Sequence, residues 1–110
     1  MYQQGDIILM PFPNDDFTGG KQRPAIVISK KKSRVGSYTV AKITSVLRYD
    51  DQSFELLNKD LSFAMHRPSE VRCDCLVTVA ERIIIKKIGA LNPVALKSLC
   101  EQIKTNFDTP

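Results

Sequence analysis

The sequence predicts a mostly β protein, a compact and mostly antiparallel small barrel of six or seven short strands with one C-terminal α-helix. Two observations carry this. Short apolar, β-branched runs recur between residues 7 and 88 with turn-forming residues between them. The segment from Asn92 onward changes to a helical period. At 110 residues the chain has room for one core, so residues 1–110 read as a single domain.

The elements follow in order. Ile7-Ile8-Leu9-Met10 is a short apolar strand leading into Pro11-Phe12-Pro13. Residues 14–22 combine Asn, Asp, Thr, Gly and Lys and read as a loop. Pro24 to Ile28 is continuously apolar, the pattern of a strand buried on both faces. Lys30-Lys31-Lys32-Ser33-Arg34 is a basic loop. Tyr38 to Ile43 is the next strand, with Thr44 and Ser45 where it runs out. Phe54 to Leu57, Val71 to Cys75 and Arg82 to Ile88 supply further strands. Asn92 is a good N-cap and Pro93 suits the first helical position. Leu96, Leu99, Cys100, Ile103 and Phe107 then align on one helical face, which must pack on the sheet or on another subunit.

The formal net charge of +4 is unevenly placed. Residues 1–50 hold eight Lys/Arg against four Asp/Glu, whereas residues 51–110 hold eight of each. The basic half permits a polyanionic partner such as nucleic acid. Ordinary apolar and charged content excludes disorder, and the lack of any long apolar run excludes a transmembrane helix. Three cysteines, an odd number, and an N-terminus without a secretory pattern point to the cytoplasm.

Several residue sets could carry chemistry. The sequence has one histidine and no Gly-rich phosphate fingerprint, which argues against a catalytic metal or nucleotide cofactor. In a strand, Val71, Cys73 and Cys75 share one face and read as core, with zinc the weaker reading. The same alternation puts Arg72 and Asp74 together on the other face, as either a structural ion pair or a site. Arg23 precedes Pro24 and is therefore biased to extended backbone at the mouth of a strand. Thr44 and Ser45 read as turn hydroxyls or as donors to a phosphate oxygen. Lys30, Lys31 and Lys32 read as a solvated loop or an electrostatic footprint. His66 lies in a loop and has the one side chain whose ordinary pKa is near neutrality.

Four pieces in order resemble the MazF/PemK (Kid) family of toxin endoribonucleases from bacterial type II toxin–antitoxin systems. They are Gly5-Asp6-Ile7-Ile8-Leu9 with Phe12-Pro13 and Lys21-Gln22-Arg23-Pro24-Ala25-Ile26-Val27-Ile28-Ser29, then Ile43-Thr44-Ser45, Val71-Arg72-Cys73-Asp74, and Lys86-Lys87-Ile88-Gly89-Ala90-Leu91. The resemblance implies an SH3-like small barrel of the CcdB/MazF toxin type, a homodimer, and a cognate antitoxin with a disordered acidic tail. It implies metal-independent cleavage of single-stranded RNA, in which the 2′-hydroxyl attacks phosphorus to leave 2′,3′-cyclic phosphate and 5′-hydroxyl ends. By position, Arg23 would stabilise the phosphate, Thr44 would hydrogen-bond it and Asp74 would be the base, while Arg72 would be the proton donor or, since a guanidinium gives up its proton poorly, a charge stabiliser. Lys21, Ser45, Lys30, Lys31 and Lys32 would help bind RNA.

The chain departs from the PemK branch at one place. That branch has a histidine six residues before its Arg-Pro, where this sequence has Phe17. Phe17 would either offer an aromatic platform to a base or cover the barrel mouth. His66 could replace the missing imidazole from another loop. Two other functions are compatible with the sequence. One is a CcdB-like gyrase inhibitor without a nuclease site, and the other is an inactive member that binds RNA or an antitoxin. The set Arg23, Thr44, Arg72 and Asp74 favours the nuclease.

Overall fold

The computed structural model describes residues 1–13 and 20–109. Among them, six strands form one antiparallel sheet: β1 (Asp6–Pro13), β2 (Gly20–Val27), β3 (Ser37–Thr44), β4 (Ser53–Leu56), β5 (Ser69–Ala80) and β6 (Lys86–Ala90). The spatial order is β4-β5-β3-β2-β1-β6. The helix α1 spans Pro93–Thr105. The small-barrel expectation holds, with one refinement. The edge strands β4 and β6 do not pair with each other among the described residues; the segments that follow them meet through an isolated bridge, Leu61 to Leu91, so the sheet curls into a half-barrel. Among the described residues no helix is long and apolar enough to cross a membrane.

Both sheet faces are buried because the strands are apolar on both. Ile7, Ile26, Ala41, Ile43, Val71 and Cys73 form one layer with Ala95, Leu99 and Ile103 of α1. Ile8, Met10, Phe12, Ala25, Val27, Tyr38, Val40, Val79 and Ile84 form the other. The run Ala25-Ile26-Val27 contributes to both, as its continuous apolarity requires. Leu99 is fully buried between helix and sheet. Leu99→Ala is expected to cost about 2–5 kcal/mol, read as a lower urea midpoint at unchanged slope.

The helix begins as its cap predicts. The Asn92 side chain accepts from the Ala95 amide at 2.8 Å and donates to Asp60 at 3.0 Å. Asn92→Ala is expected to lower stability by about 1 kcal/mol in a thermal melt. Gly5 takes a φ of +92°, and a Cβ there would meet Leu96 Cδ2 at 3.0 Å, so glycine in the Gly5-Asp6 element has a backbone reason. Asp6 behind it accepts from the Gln3 amide and pairs with Lys87 at 3.1 Å.

Four boundaries differ from expectation. Residues 20–22 belong to β2, where Lys21 pairs with Phe12 and Gln22 with Pro11. Hydrogen bonding to β1 overrides their polar, turn-like composition. The strand expected from Arg82 to Ile88 is split. Glu81–Ile83 is a 3-10 turn, Ile84 plugs the second layer, and pairing begins at Lys86. The helical stripe ends before Phe107, which lies beyond the last turn and is 68% exposed. Finally, β5 continues to Ala80, well past Cys75. Two steps along β3, from Ala41 to Ile43, correspond to five along β5, from Leu76 to Val71. This bulge contains Cys73, Asp74 and Cys75, and bulges bend a strand and sharpen its twist. The first half of β5 is thereby turned toward β4, where Ser53 stands opposite Arg72.

Candidate active site

The site is built on the first half of β5. Val71 and Cys73 point into the core, so Glu70 and Arg72 lie on the opposite face. Cys73 is a core thiol, and burial pushes its pKa up to about 11. Arg72 is nine-tenths buried and sits among three carboxylates. Its Nη1 donates to Glu70 Oε2 at 2.7 Å, Asp50 Oδ1 at 2.9 Å and Ser53 Oγ at 3.0 Å. Its Nη2 reaches Asp50 Oδ2 at 3.3 Å and Asp74 Oδ2 at 3.2 Å, while Nε donates to Asp74 Oδ1 at 3.3 Å.

Glu70 is the interior anchor of this cluster. Its side chain is 2% exposed, against 47% for Asp50 and 52% for Asp74. Glu70 accepts from Ser53 Oγ at 2.7 Å and from the Arg48 amide at 3.0 Å. Burial alone would raise the Glu70 pKa, but bonds from Ser53, Arg72 and the Arg48 and Tyr49 amides outweigh it and leave it lowered. The Arg72 bond likewise holds Asp50 below the ordinary range, and Asp50 and Glu70 together raise Arg72.

Residues 45–52 are tied into the same network. Tyr49 has a φ of 50°, a left-handed conformation that costs a non-glycine residue about 1 kcal/mol or more. Glu70 offsets that cost by holding the Arg48 amide just before it. Asp50 Oδ1 accepts from the Gln52 amide, and the Asp50 amide donates to Ser53 Oγ at 3.1 Å. From behind, Gln102 of α1 donates to the carbonyls of Asp51 and Ser53 at 3.0 and 2.9 Å. The helix therefore supports the loop that presents Asp50.

Beside this cluster the same face carries cations. Arg23 stands opposite Met10, and Lys21 opposite Phe12, both second-layer residues. Lys42 lies 6.0 Å over the Phe12 ring and pairs with Ala25. Thr44 is cross-strand from Glu70, and its Oγ1 accepts from the Val46 amide at 3.1 Å. Among the described residues no ion pair engages Lys21, Arg23 or Lys42. Register and alternation thus place Lys21, Arg23 and Thr44 on one sheet face with Arg72 and Asp74. Ser45 follows Thr44 and is exposed.

Other candidates lie elsewhere. Lys30, Lys31 and Lys32 occupy the β2–β3 connection, at the opposite end of those strands from Arg23 and Thr44. Lys32 pairs there with Glu81 at 3.2 Å. Arg23 and Lys30 are separated by the last four residues of β2, a rise of about 13 Å, and then by Ile28 and Ser29. His66 is exposed on the loop before β5 and lines a cleft of about 360 Å³ with Leu9, Pro24 and Phe63. Leu9 and Pro24 alternate with second-layer neighbours, so that cleft opens on the face away from Arg72. Phe17 lies outside the described residues.

Sequence reasoning passed over Asp50, Ser53, Glu70 and Lys42. Extending the β5 alternation two residues upstream of Arg72 would have found Glu70. Asp50 and Ser53 come from a loop and a neighbouring strand, and no local spacing encodes them.

Curled antiparallel sheet, C-terminal helix and a strand-borne arginine–carboxylate cluster beside Lys21, Arg23 and Lys42 define a small half-barrel β protein with a charged sheet face. The sequence matches the PemK-like, MazF-like toxins of type II toxin–antitoxin systems over residues 3–107. The chain belongs to that family. No curated protein matches the sequence. Among solved structures, an endoribonuclease in complex with its cognate antitoxin from a mycobacterial species is similar at 12% identity and TM-score 0.78, covering 100% of this chain and 98% of that one. The Mycobacterium tuberculosis toxin MazF-mt6 is similar at 23% identity and TM-score 0.71, over 94% of this chain and 98% of that one. MazF in a MazE–MazF structure from Deinococcus radiodurans is similar at 16% identity and TM-score 0.77, over 96% and 95%. At these identities the likeness establishes the shared fold.

Proposed function

We propose that the protein is a sequence-specific endoribonuclease toxin that cleaves single-stranded RNA without a metal ion. The observation that carries this reading is the placement of Arg23 and Thr44 on one sheet face with the Arg72–Asp74 pair. Asp74 is the half-exposed carboxylate of the cluster and the group available to a substrate hydroxyl. In the proposed reaction Asp74 takes the proton of a 2′-hydroxyl, and that oxygen forms a bond to the adjacent phosphorus. The bond from phosphorus to the 5′ oxygen breaks, and a solvent proton goes to the departing oxygen. The products are a 2′,3′-cyclic phosphate and a 5′-hydroxyl. Arg23 meets the charge that builds on the phosphorane, and Thr44 and Ser45 offer hydroxyls to its oxygens. Lys21 and Lys42 hold the strand electrostatically.

Family membership and the antitoxin complexes among similar structures support two further parts of the reading. The protein works as a cytoplasmic homodimer, and a cognate antitoxin silences it. An acidic antitoxin segment lying on Lys21, Arg23 and Lys42 would exclude RNA by occupying the same charges.

The test is incubation of a long single-stranded RNA with purified protein in EDTA, followed by end analysis. Discrete products with 5′-hydroxyl ends are expected. Asp74→Asn removes the base and is expected to slow cleavage by about 10²–10⁴-fold. Intact RNA with a correctly folded wild-type protein would sink the nuclease reading.

A further inference from the structure

The two arginines of the site are in opposite states. Every nitrogen of the Arg72 guanidinium is already donating, to Glu70, Asp50, Ser53 and Asp74. A guanidinium has five N–H donors, and these six contacts leave none for a ligand. Its surroundings also suit a phosphate poorly, since one cation faces three carboxylates. To grip a phosphate with its fork, Arg72 would have to release Asp74 from the Nε–Nη2 edge or Asp50 from the Nη1–Nη2 end. Each release would expose the phosphate to a freed carboxylate a few ångströms away. Arg23 is half-buried, has no ion-pair partner among the described residues, and lies on a face with two more cations.

We propose that Arg72 is a positioning residue and not a phosphate ligand. Glu70 and Asp50 fix one end of its guanidinium, its Nε–Nη2 edge fixes the Asp74 carboxylate, and the substrate phosphate is met by Arg23. This rests on the nuclease reading and assigns its cations to separate tasks. Asp74 sits on a bulge with its side chain half in solvent, so its own packing does not select one rotamer. The two parallel bonds from Arg72 do. Glu70 matters because it is the one carboxylate of the cluster that solvent cannot reach. It keeps the guanidinium in place when Asp74 changes protonation state.

Salt dependence separates the two roles, because each phosphate contact on a single strand contributes about 0.7 to the slope of log K against log salt. The probe is a 2′-deoxy copy of a cleaved RNA, which binds but cannot react. Arg23→Ala is expected to flatten the slope by about 0.7. The double variant Arg72→Met, Glu70→Met removes one positive and one negative charge together, so the cluster charge is unchanged. Exchanging a buried ion pair for apolar side chains of similar length is also tolerated by folds. For this variant the slope and affinity are expected to match wild type. Its kcat for RNA is expected to fall about 10²-fold at unchanged KM, the cost of a misplaced base. Arg72→Lys, which keeps the charge but not the fork, is expected not to restore kcat.

A slope flattened by about 0.7 in the double variant would overturn the proposal, because Arg72 would then be holding a phosphate. Full kcat in Arg72→Lys would overturn it too, since charge alone would suffice. Should the double variant not fold, the slope of Arg72→Gln decides: one flattened by about 0.7 overturns the proposal, and one equal to wild type supports it. A wild-type protein that does not bind the probe at all would instead overturn the nuclease reading beneath it.

Discussion

Arg23→Ala is expected to lower RNA cleavage by about 10²–10³-fold, the loss seen when one preorganised charge or donor is withdrawn from a developing oxyanion. The residue is free to do this work. It is engaged by no carboxylate among the described residues, its backbone is held in register by pairing with Met10, and Pro24 restrains the backbone beside it. The same facts predict a small effect on folding, within about 0.5 kcal/mol, because no ion pair among the described residues is removed. The measurement is a rate on single-stranded RNA alongside a thermal melt. A variant that melts like wild type yet cleaves at the wild-type rate would show that phosphorane charge is met elsewhere.

Glu70→Ala is expected to lower stability by about 2–4 kcal/mol. Removing one member of a buried ion pair typically costs 3–5 kcal/mol. Here Arg72 retains Asp50 and Asp74, which lowers the figure, but Ser53 Oγ and the Arg48 amide also lose their acceptor. The left-handed turn at Tyr49 loses its support at the same time. A urea titration measures the effect directly, and a midpoint equal to wild type would refute the anchor role.

Acid provides an independent check. The folded-state pKa of Glu70 lies below its ordinary value of 4.5, and that of Asp50 below 3.8. Groups lowered in this way stabilise the fold fully above their ordinary pKa, and the contribution is lost as pH falls through the lower folded value. Wild-type stability should therefore decline below about pH 4, and Glu70→Ala should decline less steeply there, having less to lose.

The N-cap at Asn92, the doubly buried run at Ala25-Ile26-Val27 and the alternation around Arg72 were all legible locally. Each follows from a spacing of four residues or fewer, and local spacing is what dihedral preference and side-chain direction encode. Phe107 and the Arg82 to Ile88 run were misread for the complementary reason. Their apolar character is local, but the end of α1 and the plugging of the second layer by Ile84 depend on distant partners. The Lys30 to Lys32 loop was legible as basic, yet its place at the far end of the β2–β3 hairpin follows only from strand pairing.

By itself the sequence determined a mostly β chain with a terminal helix, an excess of positive charge in its first half, and an Arg-x-Asp pair on one strand face. Only the tertiary structure decided what that pair is doing. The bulge in β5 turns Arg72 toward β4, the loop before β4 delivers Asp50 and Ser53, and α1 holds that loop from behind through Gln102. Whether a guanidinium is free or spent depends on which carboxylates come within about 3 Å of it. Three of them here come from residues 50, 70 and 74. Chain spacing sets which of these residues share a strand, but the folding of separate strands against one another sets how many reach the same nitrogen atoms.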